Sequence, residues 1–277
     1  MSAHLSKLRG RRVIASVSGG KDSAALSLWL TEQGIEHDRV FLDTGWEHAS
    51  TYDYLRGPLT AALGPIVEVR APRGFADLVQ AKGTFPSRAR RWCTQELKVK
   101  PMAGHLRALM DAGAEVVNAV GIRAEESAAR AAMPEWEWSE ALDCETWRPL
   151  IAWSEQQVID AHARHGLKPN PLYLLGAQRV GCWPCIYARK AEVHLVADVD
   201  PARIQEIGAL ERELSKKAGT LRALFAAPLG RVGVWPIEEV VEWSRTTHGG
   251  QQFDLLPPDP DAGCMRWGLC ETRGGEP

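Results

Sequence analysis

The hexapeptide Ser18-Gly19-Gly20-Lys21-Asp22-Ser23 joins a run that reads as a buried strand, Arg12 to Val17, to a stretch from Lys21 to Gln33 with Ala25, Leu28 and Trp29 at helical spacing. A strand that passes through paired glycines into a helix leaves few folds open, and the alternating α/β class is foremost among them. Glycines lack a Cβ, so the backbone can close on an anion, while the helix start offers unpaired N–H groups and the positive end of its dipole. Ser18 and Ser23 add hydroxyls and Lys21 a point charge, so the segment reads as a phosphate cradle. Its spacing is not the G-x-x-x-x-G-K-[ST] of the Walker loop.

The pattern continues downstream. Arg39 to Asp43 predicts a second strand, His48 to Leu63 a helix, Ile66 to Val69 a third strand, Glu96 to Ala112 a helix, Glu115 to Val120 a fourth strand and Glu125 to Ala132 a short helix. The expectation is a doubly wound, mostly parallel sheet of the Rossmann-like kind over residues 1–175. From Pro134 the texture changes to an irregular, tryptophan-rich stretch, then a helix over 154–165 capped by Ser154. Residues 176–277 are expected to form a largely helical, cysteine-containing region, with helices at 201–217 and 236–245 and an irregular tail.

Composition narrows the class. With 277 residues, 45% hydrophobic and 25% charged, the chain is an ordinary globular protein, and its formal net charge of −2 excludes a basic footprint spread over the whole chain. No apolar run reaches the roughly 18 residues of a membrane helix, and the start is too polar for a secretory signal, so a cytoplasmic protein without a membrane partner is expected. Six cysteines in a chain of this length suit metal or redox chemistry better than a disulfide scaffold. The C-x-x-C pair Cys182-Trp-Pro-Cys185 has a spacing that lets two thiolates reach one metal. Arg88, Arg90 and Arg91 with Lys98 and Lys100 form a local basic stretch, suited to a polyanion or to a solvated face.

The loop S-G-G-K-D-S resembles the pyrophosphate loop of the PP-loop, or adenine nucleotide α-hydrolase-like, superfamily. Gly121-Ile-Arg-Ala-Glu-Glu-Ser127 with Arg130 is similar to that family's second phosphate-facing segment. Leu42-Asp-Thr-Gly-Trp46, Arg91-Trp-Cys-Thr94 with Leu97-Lys98, and Trp147 through Asn170-Pro-Leu-Tyr173 to Cys182 narrow the resemblance to the phosphoadenosine phosphosulfate (PAPS) reductase branch, which includes sulfur-transfer enzymes of DNA phosphorothioation. The resemblance implies ATP with Mg²⁺, cleaved to AMP and pyrophosphate as an acceptor is adenylated, in sulfur transfer. Ser18, Gly19, Gly20, Lys21, Asp22 and Ser23 would hold pyrophosphate; Gly121, Arg123 and Arg130 would face the α-phosphate; Asp43 would meet metal or nucleotide. Lys21, Asp22, Lys98, Arg123 and Cys270 are the catalytic candidates.

Arg-Val-Gly-Cys-Trp-Pro-Cys185 also resembles the cluster-binding segment of iron–sulfur adenylyl-sulfate reductases. Those enzymes have adjacent cysteines where this chain has Trp92-Cys93, so the expected [4Fe–4S] ligands are Cys93, Cys182, Cys185 and one of Cys264 and Cys270. Zinc on Cys182, Cys185, Cys264 and Cys270 is the rival, since four thiolates suit either metal. The family's C-terminal Glu-Cys-Gly-Leu-His motif is replaced by Gly268-Leu-Cys270-Glu271, which leaves a sulfonucleotide reductase using Cys270 as the alternative activity and a catalytically silent nucleotide or nucleic-acid-binding module as a further one. Implied partners are a nucleotide substrate, a nucleic-acid acceptor, and a cysteine-desulfurase or thioredoxin-like protein.

Overall fold

The computed structural model describes residues 3–227, 233–247, 252–253, 263 and 266–267. Its centre is a six-stranded sheet of β1 (Arg12–Ser16), β2 (His37–Asp43), β3 (Ile66–Arg70), β4 (Val116–Ala119), β5 (Trp136–Ser139) and β6 (Cys144–Trp147), in the order β3-β2-β1-β4-β6-β5. All neighbouring pairs are parallel except β5 with β6. The middle strands are apolar on both faces because helices cover both. Val13 and Ala15 of β1 face one apolar cluster with Leu26, Leu30, Val117, Trp147 and Val158. Ile14, between them, faces the other with Val40, Met102, Leu106 and Val116.

Chain order reverses at β1: the chain leaves it toward β2 on one side and later returns to it through β4 on the other. That crevice, at the carboxyl ends of the strands, is where open α/β sheets bind ligands. Both the 18–23 loop and Gly121 lie there, after β1 and β4 respectively.

The alternating elements read from sequence are present, with differences that have physical reasons. The helix expected over 48–63 runs as Ala49–Tyr54, a π-helical turn Leu55–Leu59 around Pro58, and Thr60–Leu63. The helix expected over 96–112 likewise opens with a π turn, Gln95–Val99, before Lys100–Asp111. The tryptophan-rich stretch is not irregular: Trp136 stacks on Trp147 at 5.1 Å across the antiparallel β5–β6 pair. Helices Phe75–Lys82 and Lys190–Val199, of 8 and 10 residues, escaped the sequence reading. Ser154 caps Glu155–Arg164 by accepting from the Gln157 N–H. Trp153 precedes that helix rather than lying in it, and Trp29, Trp153 and Trp243 are half-buried.

Beyond the sheet, helices Lys190–Val199, Pro201–Ala218 and Ile237–Ser244 pack together. Their apolar residues Val193, Ile207, Leu210 and Ile237 share one cluster with Trp46, Phe75, Phe85 and Leu97, so a single core crosses residue 175. Inside the helical part, buried Glu211 accepts from the Leu224 and Ile237 N–H groups at 2.9 and 2.8 Å. No helix among the described residues is long and apolar enough to cross a membrane.

Candidate active site

The loop after β1 turns through Gly19, whose φ of +74° is left-handed. Ser18 is exposed, whereas Gly19, Gly20, Lys21 and Ser23 are buried. Ser18 N–H donates to the Ser23 hydroxyl at 3.0 Å, which closes the turn. The amides of Gly19, Gly20, Asp22 and Ser23 donate to no group among the described residues. Four such amides at the start of the Lys21–Glu32 helix form an anion nest.

The fifth amide, on Lys21, donates to the Tyr173 hydroxyl at 3.0 Å. The Lys21 side chain is drawn away from the nest: its ammonium donates to the Gln178 carbonyl at 3.1 Å, pairs with Glu155 at 3.2 Å and lies over the Tyr173 ring. Glu155 is shared with Arg266, and although burial disfavours its charge, Arg266 and Lys21 hold its carboxyl below the usual range. Asn170, 1% exposed, donates to the Gly19 carbonyl at 3.3 Å and to the Thr51 hydroxyl at 3.2 Å. His162 donates from Nε2 to the Lys21 carbonyl at 2.9 Å, and burial lowers its pKa, so the ring is neutral. Trp267 covers this layer, edge-on to His162 at 5.2 Å, and therefore packs beside the loop rather than beside the Cys182–Cys185 pair.

From the far side, β4 approaches so closely that a Cβ on Gly121 would lie 2.6 Å from the Asp22 carbonyl oxygen. Two residues on, buried Arg123 ion-pairs with the Asp22 carboxylate and with Glu125 at 2.7 Å. The pair fixes the second segment against the first. Arg130 ion-pairs with Glu126 at the surface.

At the end of β2, Asp43 is buried and accepts from the Gly45 N–H at 2.8 Å and the Tyr52 hydroxyl at 2.6 Å, with Arg70 at 3.6 Å. Part of its carboxylate therefore serves its own turn. Glu47, not singled out from sequence, is the second buried acid: it accepts from the Thr44 hydroxyl at 2.6 Å and from Tyr52 at 3.0 Å. Burial between these acids raises the Tyr52 pKa, keeping the phenol a donor.

The C-x-x-C segment docks on the same strand end. Glu47 and Cys182 form a β-bridge, Trp183 N–H donates to the Trp46 carbonyl at 2.7 Å, and Trp46 Nε1 donates to the Pro184 carbonyl at 3.2 Å. Cys93, Cys182 and Cys185 thereby border the same apolar cluster. Lys98, in the π turn, has its pKa raised chiefly by the charge of Cys182, with Glu47 and Cys185 adding to it. Burial pushes the thiols of Cys182 and Cys93 up, while Lys98 opposes that. Cys144 is buried in a separate apolar cluster, with Ile14 and Met102. Cys264 and Cys270 lie outside the described residues, and among the described residues no three Cys, His, Asp or Glu side chains form a metal-holding group. Cys93, Cys182 and Cys185 thus border one cluster without forming a metal-holding group among the described residues.

Sequence reasoning missed Glu47, Glu155, His162, Asn170 and Tyr173 as parts of the site. For the last two the signal was present in Asn170-Pro-Leu-Tyr173, whose proline starts a short helix and turns both side chains to the loop. A hollow of about 750 Å³ bordered by Gly10–Arg12 and Glu36–Arg39 is at the opposite, amino ends of β1 and β2.

Residues 12–188 match the model of the phosphoadenosine phosphosulfate reductase domain. The chain is 32% identical to an uncharacterized 37.8 kDa protein of Escherichia phage 186, over 93% of this chain and 96% of that protein. It is 38% identical to the adenosine 5'-phosphosulfate reductase of Allochromatium vinosum over 54% of this chain, and the match spans 59% of that enzyme's length. Among solved structures, the PAPS reductase of Candida auris superposes with a TM-score of 0.50 at 20% identity, covering 65% of this chain and 85% of that one, a likeness of fold.

Proposed function

Since the chain belongs to the phosphoadenosine phosphosulfate reductase domain family, we propose that it is a PP-loop enzyme that binds ATP at residues 18–23 and adenylates an acceptor. The observation that carries this reading is the nest of four undonated amides at the switch point beside the exposed Ser18 hydroxyl. An acceptor oxygen attacks the α-phosphorus, the bond to the β-phosphate breaks, and pyrophosphate leaves with the electron pair into the nest. Fixed N–H dipoles stabilise that charge without reorganising. Arg123, already fixed by Asp22, faces the α-phosphate; Lys21 exchanges Glu155 for a phosphate oxygen; Asp43 contacts Mg²⁺ or the nucleotide. In this reading the outer sulfur of a persulfide, such as that of a cysteine-desulfurase partner, displaces AMP from the adenylated position, and a second thiol then attacks the S–S bond of the adduct, leaving the sulfur on the acceptor and a disulfide between the two thiols.

Cys93, Cys182 and Cys185 with one of Cys264 and Cys270 would hold a [4Fe–4S] cluster, which would supply electron transfer; the alternative, zinc on Cys182, Cys185, Cys264 and Cys270, would be a closed structural site. Iron, acid-labile sulfide and zinc measured on anaerobically purified protein separate the two. The deciding activity assay is pyrophosphate release from ATP in the presence of cellular acceptor pools: its absence, with sulfite released instead from adenylyl sulfate or PAPS, replaces this reading. That second reading, a sulfonucleotide reductase using Cys270, is favoured by Lys98 standing among the thiols and by the likeness to a named adenosine 5'-phosphosulfate reductase. Loss of sulfite release in Cys270→Ser would support it.

A further inference from the structure

The basic segment beside the thiols makes contacts that the nucleotide reading does not use. Arg88, Arg90 and Arg91 are exposed and take part in no ion pair among the described residues. Several exposed arginines elsewhere are neutralised, Arg12 by Asp38, Arg56 by Glu68, Arg164 by Glu32 and Arg212 by Glu238, and those that are not, such as Arg9 and Arg73, stand singly along the chain. Three uncompensated charges within four residues repel one another, and in a chain of net charge −2 they form a local field. Two of them are also positioned. The guanidinium carbons of Arg88 and Arg91 lie 5.7 and 5.2 Å from the centroid of the Tyr187 ring, which holds both against one aromatic platform.

Location links this surface to the site. Arg91 caps the turn that carries Cys93, and Tyr187 follows Cys185 by two residues, so the platform stands at the edge of the thiol group. Exposed Arg179, which pairs with Glu192 at 3.9 Å, lines the same small hollow as Cys182 and Cys185. A small anion is held by buried donors in a concave pocket. Here the donors are exposed and strung along the chain, the arrangement that tracks a phosphodiester backbone, and guanidinium planes also accept stacked bases.

We infer that Arg88, Arg90 and Arg91, the first and last braced by Tyr187, form a docking surface for single-stranded nucleic acid whose path leads toward Cys93, Cys182 and Cys185. The inference deepens the proposed function by naming its acceptor class, and it rests on that reading for the chemistry, though not for the binding. A duplex keeps its reactive atoms stacked inside, whereas a single strand can lay one nucleotide into a recessed site.

The test is fluorescence anisotropy of the full chain with labelled 20-nucleotide RNA and DNA strands of mixed sequence between 50 and 200 mM KCl. Three phosphate contacts give a slope of log affinity against log salt of about −2 on a single strand. Arg88→Ala/Arg90→Ala should lose about tenfold in affinity at 100 mM salt and flatten the slope to about −0.7, while Arg88→Lys/Arg90→Lys keeps the slope. A circular dichroism spectrum unchanged by the double alanine substitution excludes misfolding as the cause. No binding at about 100 μM protein, or equal slopes for the parent and the double alanine variant, overturns the inference. Calorimetry with ATP alone keeps the two claims separate: ATP binding without oligonucleotide binding removes this inference only, and the converse removes only the proposed function.

Discussion

Asn170 and Gly121 show how single residues shape the anion nest without offering it a donor. Asn170 draws in the Gly19 carbonyl, leaving the flanking amides to face outward. Replacing it with Ala strands a buried carbonyl and the Thr51 hydroxyl, a loss of about 1–3 kcal/mol. Asn170→Ala should accordingly lower the unfolding free energy in urea by that amount and weaken ATP binding in calorimetry. Gly121 acts through absence: an alanine Cβ at 2.6 Å from the Asp22 carbonyl must push β4 from the helix start. Overpacking of that kind costs about 1–3 kcal/mol, so Gly121→Ala should lower the thermal midpoint and the ATP affinity together. Glu211 carries a pH dependence. Burial raises its pKa to about 7, so between its unfolded value of 4.5 and about 7 the folded state binds more protons and stability falls as pH rises. Urea unfolding of the parent and Glu211→Gln at pH 5 and pH 8 should shift in favour of the variant by on the order of 2 kcal/mol at the higher pH.

Among the elements, those with a strong local signal were legible in the sequence. β1 and β4 read as continuous apolar runs because helices cover both faces, and Ser154 and Pro201 marked helix starts that the structure keeps. β5 and β6 were not legible, since what makes them strands is the stacking of Trp136 on Trp147, eleven residues apart, rather than a local period. The same distinction governs the site. The 18–23 loop announces itself because glycines and serines do their work locally. Glu155 and His162 are recruited through tertiary contacts from a helix more than 130 residues downstream, and no spacing rule connects them to the loop; Glu47 is held locally by Thr44 and Tyr52, but no motif marks it. The Glu47–Cys182 bridge makes an element-scale prediction: Trp46→Ala, which removes a fully buried ring and its bond to Pro184, should cost about 3–5 kcal/mol. It should also loosen the thiol segment, seen as faster alkylation of Cys182 and Cys185.

At the scale of the whole molecule, the cluster joining Trp46, Phe75, Phe85 and Leu97 to Val193, Ile207 and Ile237 ties the sheet to the C-terminal helices. A fragment ending at residue 175 would expose that apolar face, and patches of this size drive association. The fragment should aggregate or bind an apolar dye where the full chain does not, measured by light scattering and dye fluorescence. Tyr173, a residue from beyond the sheet, has a consequence of a different kind. With its phenol oxygen seated on the Lys21 amide, the nest begins each cycle with one place already taken by an uncharged oxygen. Ligand capture there is a swap rather than a gain. A neutral competitor returns little, whereas an oxyanion recovers the strength of a charge-assisted bond, so the tyrosine makes an otherwise permissive backbone cradle discriminate by charge.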